Sequence, residues 1–139
     1  MEATTFQYPI RILEKHLDTF GHVNNATYLE LYEEARWDFI ERNGYGLKKI
    51  QETGIGPVIL ELKLKFKREL KNREEITITS VFKEMKNQKV MVLYQQMLKS
   101  DGSVASDLEL EVGVFDLRKR SLINPDTGWL KSVGVSNLD

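Results

Sequence analysis

The chain has 139 residues, 41% of them hydrophobic and 29% charged, a size and composition that suit one domain over 1–139 whose core needs no metal or disulfide staple. Lys and Arg number 20 against 21 Asp and Glu, so no global field exists to gather nucleic acid or an anionic membrane. There is no cysteine, which excludes a thiol nucleophile, Cys-ligated zinc and iron–sulfur clusters, and suits a reducing compartment. The first ten residues carry Glu2 and no apolar run, and no stretch approaches the ~20 apolar residues of a membrane span; a cytoplasmic protein without a membrane partner is expected.

Along the chain, Phe6, Tyr8, Ile10 and Ile12 alternate with Gln7, Pro9 and Arg11, which predicts a half-buried strand over 6–13, at a sheet edge because of Pro9. Over 26–43 the period changes. Tyr28, Leu31, Tyr32, Ala35, Phe39 and Ile40 recur at three- and four-residue spacing and line one face of a long helix, with Asn24 and Asn25 as N-caps and Gly44 after its end. The segment 45–57 holds Gly46, Gly54, Gly56 and Pro57 and reads as a loop with one short helical turn. Leu60, Leu62, Leu64 and Phe66 then alternate with Glu61, Lys63, Lys65 and Lys67 as a clean amphipathic strand, its charged face toward water. Strands follow over 76–82, 90–98 and 104–117, the last two joined by Asp101-Gly102, a strong hairpin signal. The tail after Arg120 has little periodicity and reads as loop. One strand, a long helix, a loop and four antiparallel strands make an α+β layout in which the helix covers a five-stranded sheet.

Cofactor fingerprints are absent: Gly44-Tyr45-Gly46 and Gly54-Ile55-Gly56 lack the third glycine of a dinucleotide site, and no serine sits in a Gly-x-Ser-x-Gly elbow. His16 and His22 with Asp18 are the one imidazole–carboxylate cluster, short of a third His for a metal. Chemistry concentrates in the polar loop 17–28 before the helix. A helix start offers unpaired N–H groups and a partial positive charge that polarise a carbonyl and stabilise an oxyanion, and Asp18 supplies a carboxylate as nucleophile or base. The same residues also suit a plain reading, with Asp18 closing a turn and the Asn pair capping the helix.

Asp18-x-x-Gly21-His22-Val23-Asn24-Asn25-x-x-Tyr28 followed by Glu33-x-Ala35-Arg36, about nineteen positions at fixed spacing, resembles the signature of hotdog-fold acyl-CoA thioesterases of the 4-hydroxybenzoyl-CoA thioesterase type. The resemblance implies an antiparallel sheet wrapped around one long helix, dimers or dimers of dimers with sites between subunits, an acyl-CoA substrate, and no cofactor or metal. It implies Asp18 as the catalytic carboxylate, the Asn25 backbone N–H as the carbonyl-polarising donor, and Gly21 as a close approach of loop to substrate. Tyr28 would pack the acyl channel and Glu33 reach the acyl end or the partner, unless both are ordinary core and contact residues. His22 matches the His-Val-Asn-Asn form that also resembles plant acyl-ACP thioesterases, but those carry Asn two positions after the Asp, where this chain has Phe20. For the CoA phosphates the basic candidates are Lys63, Lys65, Lys67, Arg68, Lys86, Lys89, Arg118, Lys119 and Arg120, with the Arg118–Arg120 cluster, above all Arg118 and Arg120, foremost. The alternatives are an acyl-ACP thioesterase, a hotdog module that binds an acyl thioester or a protein without turnover, and a hotdog dehydratase or hydratase.

Overall fold

The computed structural model describes residues 2–138. Its centre is α1, Asn25–Arg42, capped by the Asn24 side chain, which accepts from the Ala26 N–H. The predicted face of α1 (Tyr28, Leu31, Tyr32, Ala35, Phe39, Ile40) is buried, while Leu29 and Trp37 are half-buried at its flanks. Eighteen residues give an axis of about 27 Å, enough to cross the sheet.

Around α1 curls an antiparallel sheet of six strands in the order β2-β4-β5-β6-β3, with the short β7 (Ser121–Ile123) also paired to β6. β2 is Phe6–Arg11, β3 Ile55–Phe66, β4 Glu75–Met85, β5 Val90–Lys99 and β6 Val104–Asp116. Alternate residues of the central strands (Ile76 and Ile78; Met91, Leu93 and Met97; Leu108, Leu110, Val112 and Val114) meet the helix and bury its apolar face. β2 pairs with β4 alone and so lies at an edge, where Pro9 is tolerated. The β5–β6 hairpin turns at Gly102, whose φ of 86° is the left-handed conformation glycine adopts freely, while Asp101 Oδ1 accepts from the Ser103 N–H.

Several expectations are corrected. Five strands become six, and a two-stranded ribbon joins β1 (Glu2–Ala3) to β8 (Val135–Ser136). The expected loop 45–57 holds a two-turn helix, α2 (Leu47–Thr53), and the first residues of β3; Pro57 sits inside that strand because β3 is the other edge of the sheet. The tail is no loop. Asp126 caps α3 (Thr127–Ser132), and Trp129 is buried with its ring edge against Tyr45, 5.1 Å away. The apolar face of β3 is not sealed: Leu60, Leu62 and Phe66 are 45%, 41% and 55% exposed, because an edge strand runs beyond the cover of the helix. Among the described residues no helix is long and apolar enough to cross a membrane.

Candidate active site

The segment before α1 is a closed hairpin. The Asn24 N–H donates to the His16 carbonyl (3.2 Å) and the Asp18 N–H to the His22 carbonyl (2.8 Å), so two hydrogen bonds flank the Leu17–Val23 bridge and hold the loop against the helix start. Counting from the Asp18–His22 rung to Asn25 places the two about 10 Å apart along this ladder. At the tip Gly21 has a φ of 81°, and a Cβ there would meet nothing within 4 Å. The glycine is therefore needed for its backbone conformation, and the tip is open on its outer side.

Asp18 divides its carboxylate between two tasks. Oδ1 accepts from the Phe20 N–H at 2.8 Å and the His22 N–H at 3.2 Å and so shapes the turn. Oδ2 takes no hydrogen bond among the described residues, and the residue is exposed. At the helix start, the Ala26 N–H is taken by Asn24 Oδ1 and Asn25 Oδ1, and those of Thr27 and Tyr28 by the Asn24 carbonyl. The Asn25 N–H is thus left without an acceptor among the described residues, at the positive end of an 18-residue helix. A free carboxylate oxygen and a free N–H on one short hairpin are the two kinds of group that attack on a carbonyl and stabilisation of its oxyanion use.

Tyr28 is buried one turn into α1 with its ring edge against Phe66 of β3 (4.9 Å, 86°); burial, then Glu69 and Glu74, push its hydroxyl up. His22 does not turn toward Asp18. Its Nε2 pairs with Glu69 from the β3–β4 loop, both side chains about half exposed, while Lys99 Nζ grips the Glu69 carbonyl at 2.6 Å. His16 Nδ1 accepts the Leu13 N–H at 2.9 Å, which needs the neutral ring, and burial followed by the Lys15 charge holds its pKa below the ordinary value. No group of three or more His, Asp or Glu side chains gathers as a metal site among the described residues.

Glu33 lies exposed two turns along α1, on the rim of a cavity of about 100 Å³ that it shares with Arg36, Trp37, Pro57, Ile59, Leu93 and Val112. Arg36 Nη1 donates to Gln95 Oε1 at 2.8 Å, and Gln95 Nε2 donates to Ser80 Oγ and the Tyr32 carbonyl, a polar layer through the core. Burial pulls the Arg36 pKa down, partly opposed by Glu33. Among the basic candidates, Lys67 pairs with Asp107 and Lys86 with Glu111. Arg118 and Arg120 occupy the turn after β6, where Asp116 Oδ1 accepts the Arg118 and Lys119 N–H groups and the Arg120 guanidinium lies over Phe115. Tyr32 bonds Ser106 at the opposite end of β6, about 33 Å away by strand rise. One chain therefore does not bring Arg118 and Arg120 to Asp18. Glu69 and the Arg36–Gln95 layer were missed in sequence. Glu69 carries no local period, and Arg36, although it stands in the motif, gives no sign in sequence of its partner Gln95, 59 residues away.

A curled antiparallel sheet closed on one helix, with a carboxylate hairpin at that helix's start, is the hotdog arrangement of thioester-processing proteins. The sequence model of the Thioesterase-like superfamily matches residues 13–132, and the chain belongs to that family. It is 29% identical over 117 residues, 84% of this chain and 88% of the relative, to the long-chain acyl-CoA thioesterase FadM of Escherichia coli K12. Of solved structures, the probable thioesterase YbaW of Escherichia coli superposes with a TM-score of 0.80 at 28% identity, covering 91% of this chain and 94% of that one. The Staphylococcus aureus protein SAV2348, solved in complex with CoA, shares the fold at a TM-score of 0.83 and 18% identity over 96% of this chain and 84% of its own.

Proposed function

We propose that the protein, as one hotdog domain over 1–139, hydrolyses acyl-CoA thioesters to the free acid and CoA, working in the cytoplasm without metal or cofactor. The observation that carries this is the split role of Asp18: one carboxylate oxygen fixes the loop and the other stands free on the same hairpin that carries the unpaired Asn25 N–H. Two routes use these same atoms. In one, Oδ2 takes a proton from water, the hydroxide adds to the thioester carbonyl, and the oxyanion rests on the Asn25 N–H. Collapse breaks the C–S bond, and the proton returns to the departing thiolate. In the other, Oδ2 itself adds to the carbonyl carbon, thiolate leaves, and water cleaves the resulting anhydride. Label found in Asp18 after single-turnover hydrolysis in heavy-oxygen water establishes the second route, because only an anhydride attacked by water at the Asp18 carbonyl puts label there. Gly21 gives the loop its turn, while His22, held by Glu69, keeps the loop docked.

The site is built for two copies. β3 is a 12-residue edge strand with Ile59, Leu60, Leu62 and Phe66 exposed, a length of apolar edge that proteins cover. Antiparallel pairing of β3 with a second β3 extends the sheets into one layer and makes a homodimer, itself the unit of any dimer of dimers. The same pairing sets the Ile55 end of one copy, with Arg118 and Arg120 behind it, beside the Phe66 end of the other, where Tyr28 and the helix start lie. There the arginines meet the CoA phosphates, and Glu33 and Tyr28 border the acyl group. The FadM relative supports a CoA substrate, whereas the plant acyl-ACP form differs at Phe20. The test is thiol release from aromatic, short, medium and long acyl-CoA thioesters by wild type beside Asp18→Asn. Turnover lost in the variant supports the reading; a folded wild type inactive on the whole panel overturns it in favour of a carrier-protein substrate or a binding module.

A further inference from the structure

The loop between β3 and β4, residues 67–74, is tied to three other stretches of chain. The Lys67 and Arg68 N–H groups both donate to the Ala105 carbonyl, at 2.9 and 3.0 Å, and Leu70 at the middle of the loop is buried. At its far end the Arg73 N–H donates to the Ile12 carbonyl and the Ile12 N–H to the Glu74 carbonyl, at 2.8 and 2.9 Å. Lys99 of β5 closes the third side. Its Nζ pairs with Glu74 at 3.0 Å, both side chains less than a fifth exposed, and donates to the Glu69 carbonyl at 2.6 Å. The Glu69 backbone is thus a fixed point.

The tip of the hairpin before α1 has no such support. Every residue from Asp18 to His22 is exposed, and the hydrogen bonds of their backbone run among themselves. Among the described residues a single ion pair or hydrogen bond joins this tip to a distant part of the chain, from His22 Nε2 to the Glu69 carboxylate. His22 is also the residue whose N–H donates to Asp18 Oδ1 and whose carbonyl accepts the Asp18 N–H. Any shift of His22 is therefore passed to Asp18 at both its backbone and its carboxylate. We infer that Glu69 is a positioning residue for the chemical step: through His22 it holds the Asp18 carboxylate in one place relative to the helix start. The inference rests on the thioesterase reading above. His22 serves in it as a link, with no proton transfer asked of its ring. The pair is about half exposed, so it adds little to global stability. It matters more to rate, since a misplacement of about 1 Å at a reacting group can cost about a hundredfold.

The experiment compares wild type with Glu69→Ala, Glu69→Gln, His22→Ala and the double Ala variant. Each is followed by thiol release from acyl-CoA thioesters, a thermal melt, and amide hydrogen exchange read by NMR. Glu69→Ala keeps the backbone carbonyl that Lys99 holds, so the loop stays in place and the melt barely moves. Exchange at the Asp18 and His22 amides should rise about tenfold or more while the amides of β4, β5 and β6 keep their protection. The kcat of Glu69→Ala should fall about ten- to a hundredfold with KM within about twofold of wild type. Glu69→Gln, which keeps an acceptor oxygen, should recover most of that loss. The double variant should be no slower than the slower single one, because both changes cut one link. Unchanged exchange and kcat in a folded Glu69→Ala, or losses that multiply in the double variant, overturn the positioning role and leave the thioesterase standing. So does a loss confined to KM, which makes Glu69 a binding contact. A His22→Ala far slower than Glu69→Ala also overturns it and assigns chemistry to the imidazole. Wild type inactive on every thioester removes the thioesterase reading and the positioning role with it.

Discussion

Replacing Asp18 by Asn removes one charge and almost nothing else. The Asn carbonyl oxygen can accept the Phe20 and His22 N–H groups where Oδ1 does now, at 2.8 and 3.2 Å, and the new NH₂ takes the place of an oxygen that has no partner. Hydrogen bonds to a charged group contribute about 1.5–3 kcal/mol and neutral ones about 0.5–1.5, so the loop loses about 1–1.5 kcal/mol per bond before solvent screening. Exposure of the site screens that further. The melting temperature should move by only a few degrees. The chemistry loses its base or nucleophile, worth about 10²–10⁴-fold in rate, or about 3–5 kcal/mol of barrier. Thiol release followed with a thiol-reactive chromophore, beside a thermal melt, reads both quantities on one preparation. A folded Asp18→Asn that keeps more than about a tenth of the wild-type kcat/KM would refute the assignment of Asp18 to the chemical step. Asp18→Ala, which also deletes both acceptors, should be equally inactive and melt lower than Asp18→Asn.

Leu62→Asp, at a 41% exposed position on β3, should turn a sedimenting dimer into a monomer and abolish thiol release, while an active monomer would show that one chain suffices. Arg36→Met strips the donor from Gln95 Oε1 in a residue only 1% exposed, and should cost about 1–3 kcal/mol in urea unfolding; a change under about 0.5 kcal/mol would mean the layer re-forms without it. For His16 the folded pKa lies below the ordinary value of about 6.5, so as pH falls the unfolded chain takes up the proton first. Stability from this site is full above about pH 6.5 and declines as pH drops through it toward the lower folded value. The urea midpoint of wild type should therefore fall between about pH 7.5 and 5 more steeply than that of His16→Asn, and parallel slopes would contradict it.

What could be read from sequence was what repeats locally. The helix announced itself by a 3.6 period and by Asn24, and the β5–β6 hairpin by Asp101-Gly102, because caps and turns are made by neighbours in the chain. Trp129 gave no such signal. It is buried because Tyr45 and Met91, both more than 30 residues away, close over it, its Nε1–H meeting the Met91 sulfur at 3.1 Å. Pro57 misled for a related reason: a proline that reads as a loop is acceptable inside a strand once that strand is an edge, and edge position is a property of the sheet.

The site divides along the same line. Asp18, Gly21, His22, Asn24 and Asn25 lie within eight residues, so the proposed reactive oxygen and polarising N–H are set by one hairpin closed by its own backbone. Glu69 reaches that hairpin from a distant loop, and Arg118 and Arg120 stand at the far end of β6. An acyl-CoA has two unlike parts, a reacting carbonyl next to an apolar tail and a long anionic handle. The chain keeps the carbonyl chemistry on one local element, where a shift of a few tenths of an ångström matters most. On the proposed β3–β3 pairing, the handle and the tail are left to surfaces that come into register only when β3 meets its copy. On this argument, variants along the exposed β3 edge should impair catalysis without touching a single reacting atom.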